Sequence, residues 1–184
     1  MNRIFLTLAS LSILLLVAAF SIGLNIGDAA ARDPAVQKTV SMHMLVAMGA
    51  LIFSMLLHAI VFTYFIGTGR WIEETSEAYE LSKDYLRENQ KRKYRLFTLI
   101  VISMTLLVVT GALGALADPA SPMGNDGWMG IPSDVFHLIC AGITLAVSLL
   151  VYLSEYQNIV RNGELINEVM QHVNRIRKER GLPV

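Results

Sequence analysis

The run MHMLVAMGALIFSMLLH, from Met42 to His58, decides the fold. It lies inside a stretch from Thr39 to Gly69 that contains no Asp, Glu, Lys or Arg. A bilayer core about 30 Å thick needs ~20 apolar residues in a helix, and this stretch exceeds that length. Three more charge-free runs share the property, from Ile4 to Gly27, Leu96 to Ala117 and Val135 to Ser154. Backbone polar groups in lipid must be satisfied within their own segment, so each run is expected to be a helix. The sequence therefore predicts an all-α integral membrane four-helix bundle, one membrane domain over 1–184, with spans at about 4–27, 40–69, 95–117 and 133–154.

Composition agrees with that reading. Of 184 residues, 54% are hydrophobic and 16% charged, against roughly 45–50% and 25% in soluble domains. Fifteen basic residues balance fifteen acidic ones, so no net field favours nucleic acid. The single cysteine, Cys140, excludes an intrachain disulfide and any CxxC motif. No P-loop, GxGxxG, GxSxG or HExxH occurs, and the chain reads as non-enzymatic. Ala29, Ala30 and Ala31 follow span one as a signal-peptide cleavage site would, but the apolar run is longer than the ~7–15 residues of a signal core, which favours a retained anchor.

Charge distribution sets an expected orientation. Arg70, Lys83, Arg87, Lys91, Arg92, Lys93 and Arg95 lie between spans two and three, and five more basic residues follow span four. The first loop holds only Arg32 and Lys38, and Asp118 to Asp134 holds no Lys or Arg. Positive-inside reasoning places both termini and the middle segment in the cytoplasm, in the inner membrane of a bacterium. Apolar spacing over 70–92 and 155–180 predicts two cytoplasmic helices, with Trp71/Ile72, Ala78/Tyr79 and Tyr85/Leu86 on one stripe and Ile159, Ile166 and Val173 on the other. These helices are expected to pair, and to offer a membrane-complex partner its contact surface. Ser133 and Asp134, after Pro132, read as the cap of span four. His172, on the second stripe, reads as solvent-facing or interhelical.

Polar residues inside spans are costly and mark where function is sought. At 100° per residue, His43, Ala47, Ala50, Ser54, His58, Val61 and Phe65 fall on one face of span two. His137, Ala141, Thr144, Ser148 and Glu155 align on span four, which runs in the same direction. His43 and His137 stand at similar depths and can face each other. Two imidazoles across a gap lined with small residues suit the axial ligands of a haem b. Thr110, Gly111 and Gly114 on span three leave room for a porphyrin edge, and Asp134 stands one turn from His137 as an orienting acceptor.

This pairing resembles membrane b-type cytochromes as an architecture, through two or three residues only. The resemblance implies a second haem in quinol-oxidising members, with a second histidine on each helix. Here His58 follows His43 by fifteen residues, but Tyr152 stands fifteen after His137. His58 thereby becomes a second polar site, with Ser148, Tyr152 or proton and quinone handling as its expected roles. A competing Cu(I) reading uses His43 with Met44, supported by Met42, Met48, Met123, Met129 and Cys140. Snorkelling accounts for Glu155 at the membrane boundary. With no catalytic motif, the leading expectation is a non-catalytic accessory or scaffold subunit of a membrane complex. A haem-binding electron-transfer protein is the alternative and a copper site the second alternative.

Overall fold

The computed structural model describes residues 1–30, 33–120, 127 and 130–183. It contains four helices, α1 (Asn2–Leu24), α2 (Pro34–Ala78), α3 (Asp84–Ala117) and α4 (Ser133–Glu179), and no strand among the described residues. All four are long and apolar enough to cross a membrane, which makes the chain an integral membrane protein. Sequential helices run antiparallel. Ser12 meets Ser54 between α1 and α2, His58 meets Ser103 between α2 and α3, and Thr110 meets Thr144 between α3 and α4. Tyr152 bonds Ser12 and closes the ring from α4 to α1. The parallel helices α2 and α4 therefore stand on a diagonal and reach each other across the centre.

The packing is inverted relative to a soluble bundle. Leu14, Leu45 and Leu150 are 67%, 71% and 67% exposed, whereas Ser12, Ser54, His58, Ser103, Ser148 and Glu155 are at 0%. Lipid solvates the apolar exterior, and the polar groups must find partners inside. An apolar layer of Phe5, Leu57, Val61, Phe65, Leu96, Ile100, Val151 and Ile159 packs around Tyr152. Beside it Phe62 and Phe97 stack with ring centres 3.8 Å apart.

Helices α2 and α4, of 45 and 47 residues, measure about 68 and 70 Å at 1.5 Å per residue. That is more than twice a bilayer core, so both continue unbroken into a stalk. Asp33 caps α2 by accepting from Ala35 N at 2.7 Å, with Pro34 in the first turn. The expected cap of span four is different: α4 starts at Ser133, Pro132 occupies the cap position, and neither Ser133 nor Asp134 makes a capping bond. Proline pre-sets the entry geometry without a side-chain acceptor.

The segment 70–92 is not one helix. α2 ends at Ala78, and α3 begins at Asp84 and runs without interruption into span three. The stop is a Schellman motif: Leu81 N donates to Ser76 O at 2.9 Å and Glu80 N to Glu77 O at 3.3 Å, with Glu80 at φ 52°. Ser82 Oγ then accepts from Asp84 N at 3.2 Å to open α3. In the stalk, Ile72, Ile159, Leu165, Val169 and Val173 are buried, whereas Trp71, Tyr79, Tyr85 and Leu86 are half-buried and Ala78 is exposed. Ile166 is half-buried, and Asn162 and Leu165 take buried places on that stripe. His172 is exposed and its Nδ1 bonds Tyr85 Oη at 2.7 Å, an interhelical contact as expected.

Glu80 holds a backbone conformation that costs an L-residue about 1 kcal/mol or more and costs glycine nothing. Glu80→Gly is expected to raise the melting temperature of the detergent-solubilised protein by a few degrees. A lowered melting temperature would contradict this account of the turn.

Candidate functional site

The two histidines singled out on spans two and four meet at the centre of the bundle, toward the end that carries the α1–α2 and α3–α4 connections. Their ring centres are 6.2 Å apart and their planes cross at 79°. His43 Nδ1 lies 3.0 Å from the carbonyl of Ala19 on α1. A carbonyl can only accept, so Nδ1 carries the proton and Nε2 keeps its lone pair. His137 Nδ1 is buried and has no hydrogen-bond partner among the described residues. Asp134 makes no bond to it, so the orienting role expected of that carboxylate is not part of this geometry.

Each imidazole is seated in a notch made by a glycine on the preceding helix. A methyl group built at Gly23 of α1 would lie 2.9 Å from His43 Cε1, and one at Gly114 of α3 would lie 3.0 Å from His137 Cε1. Carbon atoms do not pack that closely, so a side chain at either position would push the imidazole aside. The two hairpins thus present their histidines in the same way.

Hollows open on two sides of the pair. One, of about 320 Å³, faces the connection end and is lined by Phe20, Gly23, Val40, Gly114, Asp118 and Asp134. The other, of about 100 Å³, lies deeper among Leu16, Ala50, Leu51, Leu107, Gly111 and Thr144. His43, His137, Phe20 and Ala141 line both. Together they form a slot whose walls are apolar and whose long direction follows the bundle. Below it Thr110 Oγ1 bonds Thr144 Oγ1 at 2.6 Å and Cys140 Sγ at 3.3 Å.

His58 sits in a different environment, where nothing is open. Its Nδ1 lies 2.8 Å from Glu155 Oε1 and its Nε2 lies 3.0 Å from Ser103 Oγ. The Tyr152 ring centre is 5.3 Å away. Ser12 Oγ joins Ser54 Oγ at 2.8 Å and Tyr152 Oη at 2.7 Å. Tyr152 thus fills the place that a second opposing histidine would need. Ser148 makes no contact with His58, and its Oγ is buried without a partner among the described residues. Glu155 does not snorkel, because His58 draws it inward to 0% exposure. Closer to the stalk, Asn162 Nδ2 donates to Thr68 Oγ1 and Asn89 Nδ2 donates to Asn162 Oδ1, both at 2.9 Å.

Sequence reasoning missed Ser12, Ser103 and Asn89, each a lone polar residue in an apolar or charged run with no visible partner. Glu155 was on the inward stripe of span four, seven residues after Ser148, and that spacing was the signal. The copper ligand set does not assemble. Met42 and Met44 are each 47% exposed, although Met44 reaches the rim of the larger hollow. Cys140 is engaged with Thr110, and Met123 and Met129 lie outside the described residues. No group of three or more His, Cys, Asp or Glu side chains surrounds a common point among the described residues.

Removing a partner from a buried hydrogen bond costs about 1–3 kcal/mol. Asn162→Leu, which strands Asn89 and Thr68 together, is therefore expected to lower stability by that amount or more in a thermal or denaturant melt. Arg70→Ala, whose pair with Glu74 is exposed on both sides, should leave it unchanged. Comparison of the chain with protein-family models, curated proteins and solved structures finds no match in any of the three.

Proposed function

We propose that the slot between His43 and His137 holds a single b-type haem and that the protein carries electrons within the membrane. The observation that supports this most is the pair itself. A metal–imidazole bond of about 2 Å on each side, plus the half-width of each ring, separates two ring centres by ~6 Å, and the pair stands at 6.2 Å. The hollows on two sides of the pair, both lined by Phe20 and Ala141, would hold a flat macrocycle. Gly23 and Gly114 clear the space against which each ring rests. The Ala19 carbonyl fixes the His43 tautomer that leaves Nε2 free for iron, as the second hydrogen bond of a ligating histidine commonly does. Bound there, the haem would supply one-electron chemistry between ferric and ferrous iron.

The residues fit one haem and not two. Where a second would sit, Tyr152, His58, Glu155 and Ser103 close the interior with hydrogen bonds. A scaffold role draws less support, since Ile159, Val169 and Val173 of the second stripe are already buried within the chain. Positive-inside counting orients the stalk and both termini toward the cytoplasm of a bacterial cell, with the slot toward the outer face. Asp118 and Asp134 stand at the slot mouth, where they repel ionised propionates leaving by that route.

Protein purified in detergent from haem-replete cells is expected to show a Soret band with resolved α and β bands on reduction, at about one haem per chain. His43→Ala and His137→Ala should each abolish the spectrum, while His58→Gln and His172→Ala retain it. Gly114→Val, which crowds the His137 ring, should lower haem content severalfold without preventing membrane insertion. Asp134→Asn should improve haem retention. A colourless wild-type protein, or an unchanged spectrum in both ligand variants, would reject the assignment. Reporter fusions to the two termini are expected to report the same, cytoplasmic side.

A further inference from the structure

Helix-to-helix burial of a carboxylate and an imidazole in the membrane half of a bundle is unnecessary for stacking four helices. A buried ionic pair is weak support for stability, and apolar residues of similar volume often serve as well. Both side chains are at 0% exposure, and Glu155 Oε1 lies 2.8 Å from His58 Nδ1. Glu155 Oε2 is buried with no hydrogen-bond partner among the described residues. The carboxylate thus retains an acceptor that the protein does not use, and a proton can be held at Oε2, between Oε1 and Nδ1, or on the ring.

The surroundings leave this pair as the proton-exchanging group of the interior. From α1 it is approached through Ser12 and Phe5, neither titratable. From α3 comes Ser103, a neutral hydroxyl bonded to Nε2. From α4 comes Tyr152, whose hydroxyl is committed to Ser12. The titratable groups set against Glu155 among the described residues are thus His58, at 2.8 Å, and the Tyr152 hydroxyl. On the stalk side the apolar residues Phe65, Leu96, Ile100 and Ile159 lie between the pair and the Asn89–Asn162–Thr68 cluster, where Asn89 Oδ1 likewise lacks a partner among the described residues.

We propose that His58 and Glu155 form one proton-binding site whose occupancy follows the electron held between His43 and His137. The inference rests on the haem assignment. The balance is simple: one electron from an external one-electron donor would be taken up at the site between His43 and His137, and the proton occupancy of the pair would rise with it, the proton coming from water, so the added charge in the low-dielectric interior would be partly offset. Fifteen residues separate His43 from His58, about 22 Å along α2. At an effective dielectric near 20, unit charges at that distance change a proton affinity roughly three- to fourfold. The reduced protein binds the proton more tightly, so the midpoint potential falls as pH rises.

The test is a redox titration of the detergent-solubilised haem protein across pH, with reduced-minus-oxidised infrared difference spectra. The wild type is expected to show a pH-dependent potential that corresponds to a three- to fourfold affinity ratio, together with a carboxyl signal. Glu155→Gln, which preserves shape and a contact to His58, should lose the carboxyl signal and most of the pH dependence while keeping its Soret band. His58→Gln should flatten the dependence as well. A flat wild-type potential with an intact Soret band would overturn the proposal. So would a slope that survives in both variants, which would place the proton on propionates, Asp118 or Asp134. A colourless wild type is a different result, since it removes the haem assignment and the coupling with it.

Discussion

Lipid offers no hydrogen bonds, and every polar group that enters it must be answered by another from inside the bundle. That constraint shapes the interior from the slot to the stalk. Along α4, Thr144, Tyr152, Glu155 and Asn162 follow one another at intervals of eight, three and seven residues, and each meets a donor or acceptor from another helix. Ser12 on α1 has the same role between Ser54 and Tyr152. The apolar exterior needs no specific fit to lipid, so it is this inward ladder that fixes the register of the four helices. Sliding one helix by a turn would strand several buried groups at about 1–3 kcal/mol each.

The histidine pair lies apart from this ladder. There Gly23, Ala47, Gly111, Gly114 and Ala141 set no side-chain bulk against the two rings, and His137 Nδ1 has no partner among the described residues, as Ser148 Oγ has none farther along α4. Over the next four turns the same four helices close tightly around Tyr152 and His58. A slot bordered by glycine and alanine thus stands over a sealed layer of tyrosine, serine and carboxylate on the axis of one bundle.

Much of this was legible in the residues. Four charge-free runs and a 100° rotation per residue were enough to place His43 opposite His137 and to align Ala50, Ser54 and His58 inward. The rule that charged residues end a span misread Glu155, because one charge with a buried partner behaves as an interior residue. Ser103 and Ser12 were invisible for a related reason: a serine in an apolar run is as consistent with a backbone contact as with a partner on another helix. The stalk turn escaped notice because the left-handed position is taken by Glu80 and not by the glycine that usually announces it. The start of α4 falls at the expected residue 133, but the cap position is taken by Pro132 and not by Ser133 or Asp134.

Three of the helices leave the membrane without a break. From Ser133 to Glu179, α4 is one rod of about 70 Å, with His137 near one tip and His172 near the other. Such a rod has no hinge to absorb torque. Load on the far tip is carried to the end that holds His137, so it would translate into a change in the angle at which His137 meets His43 across the diagonal.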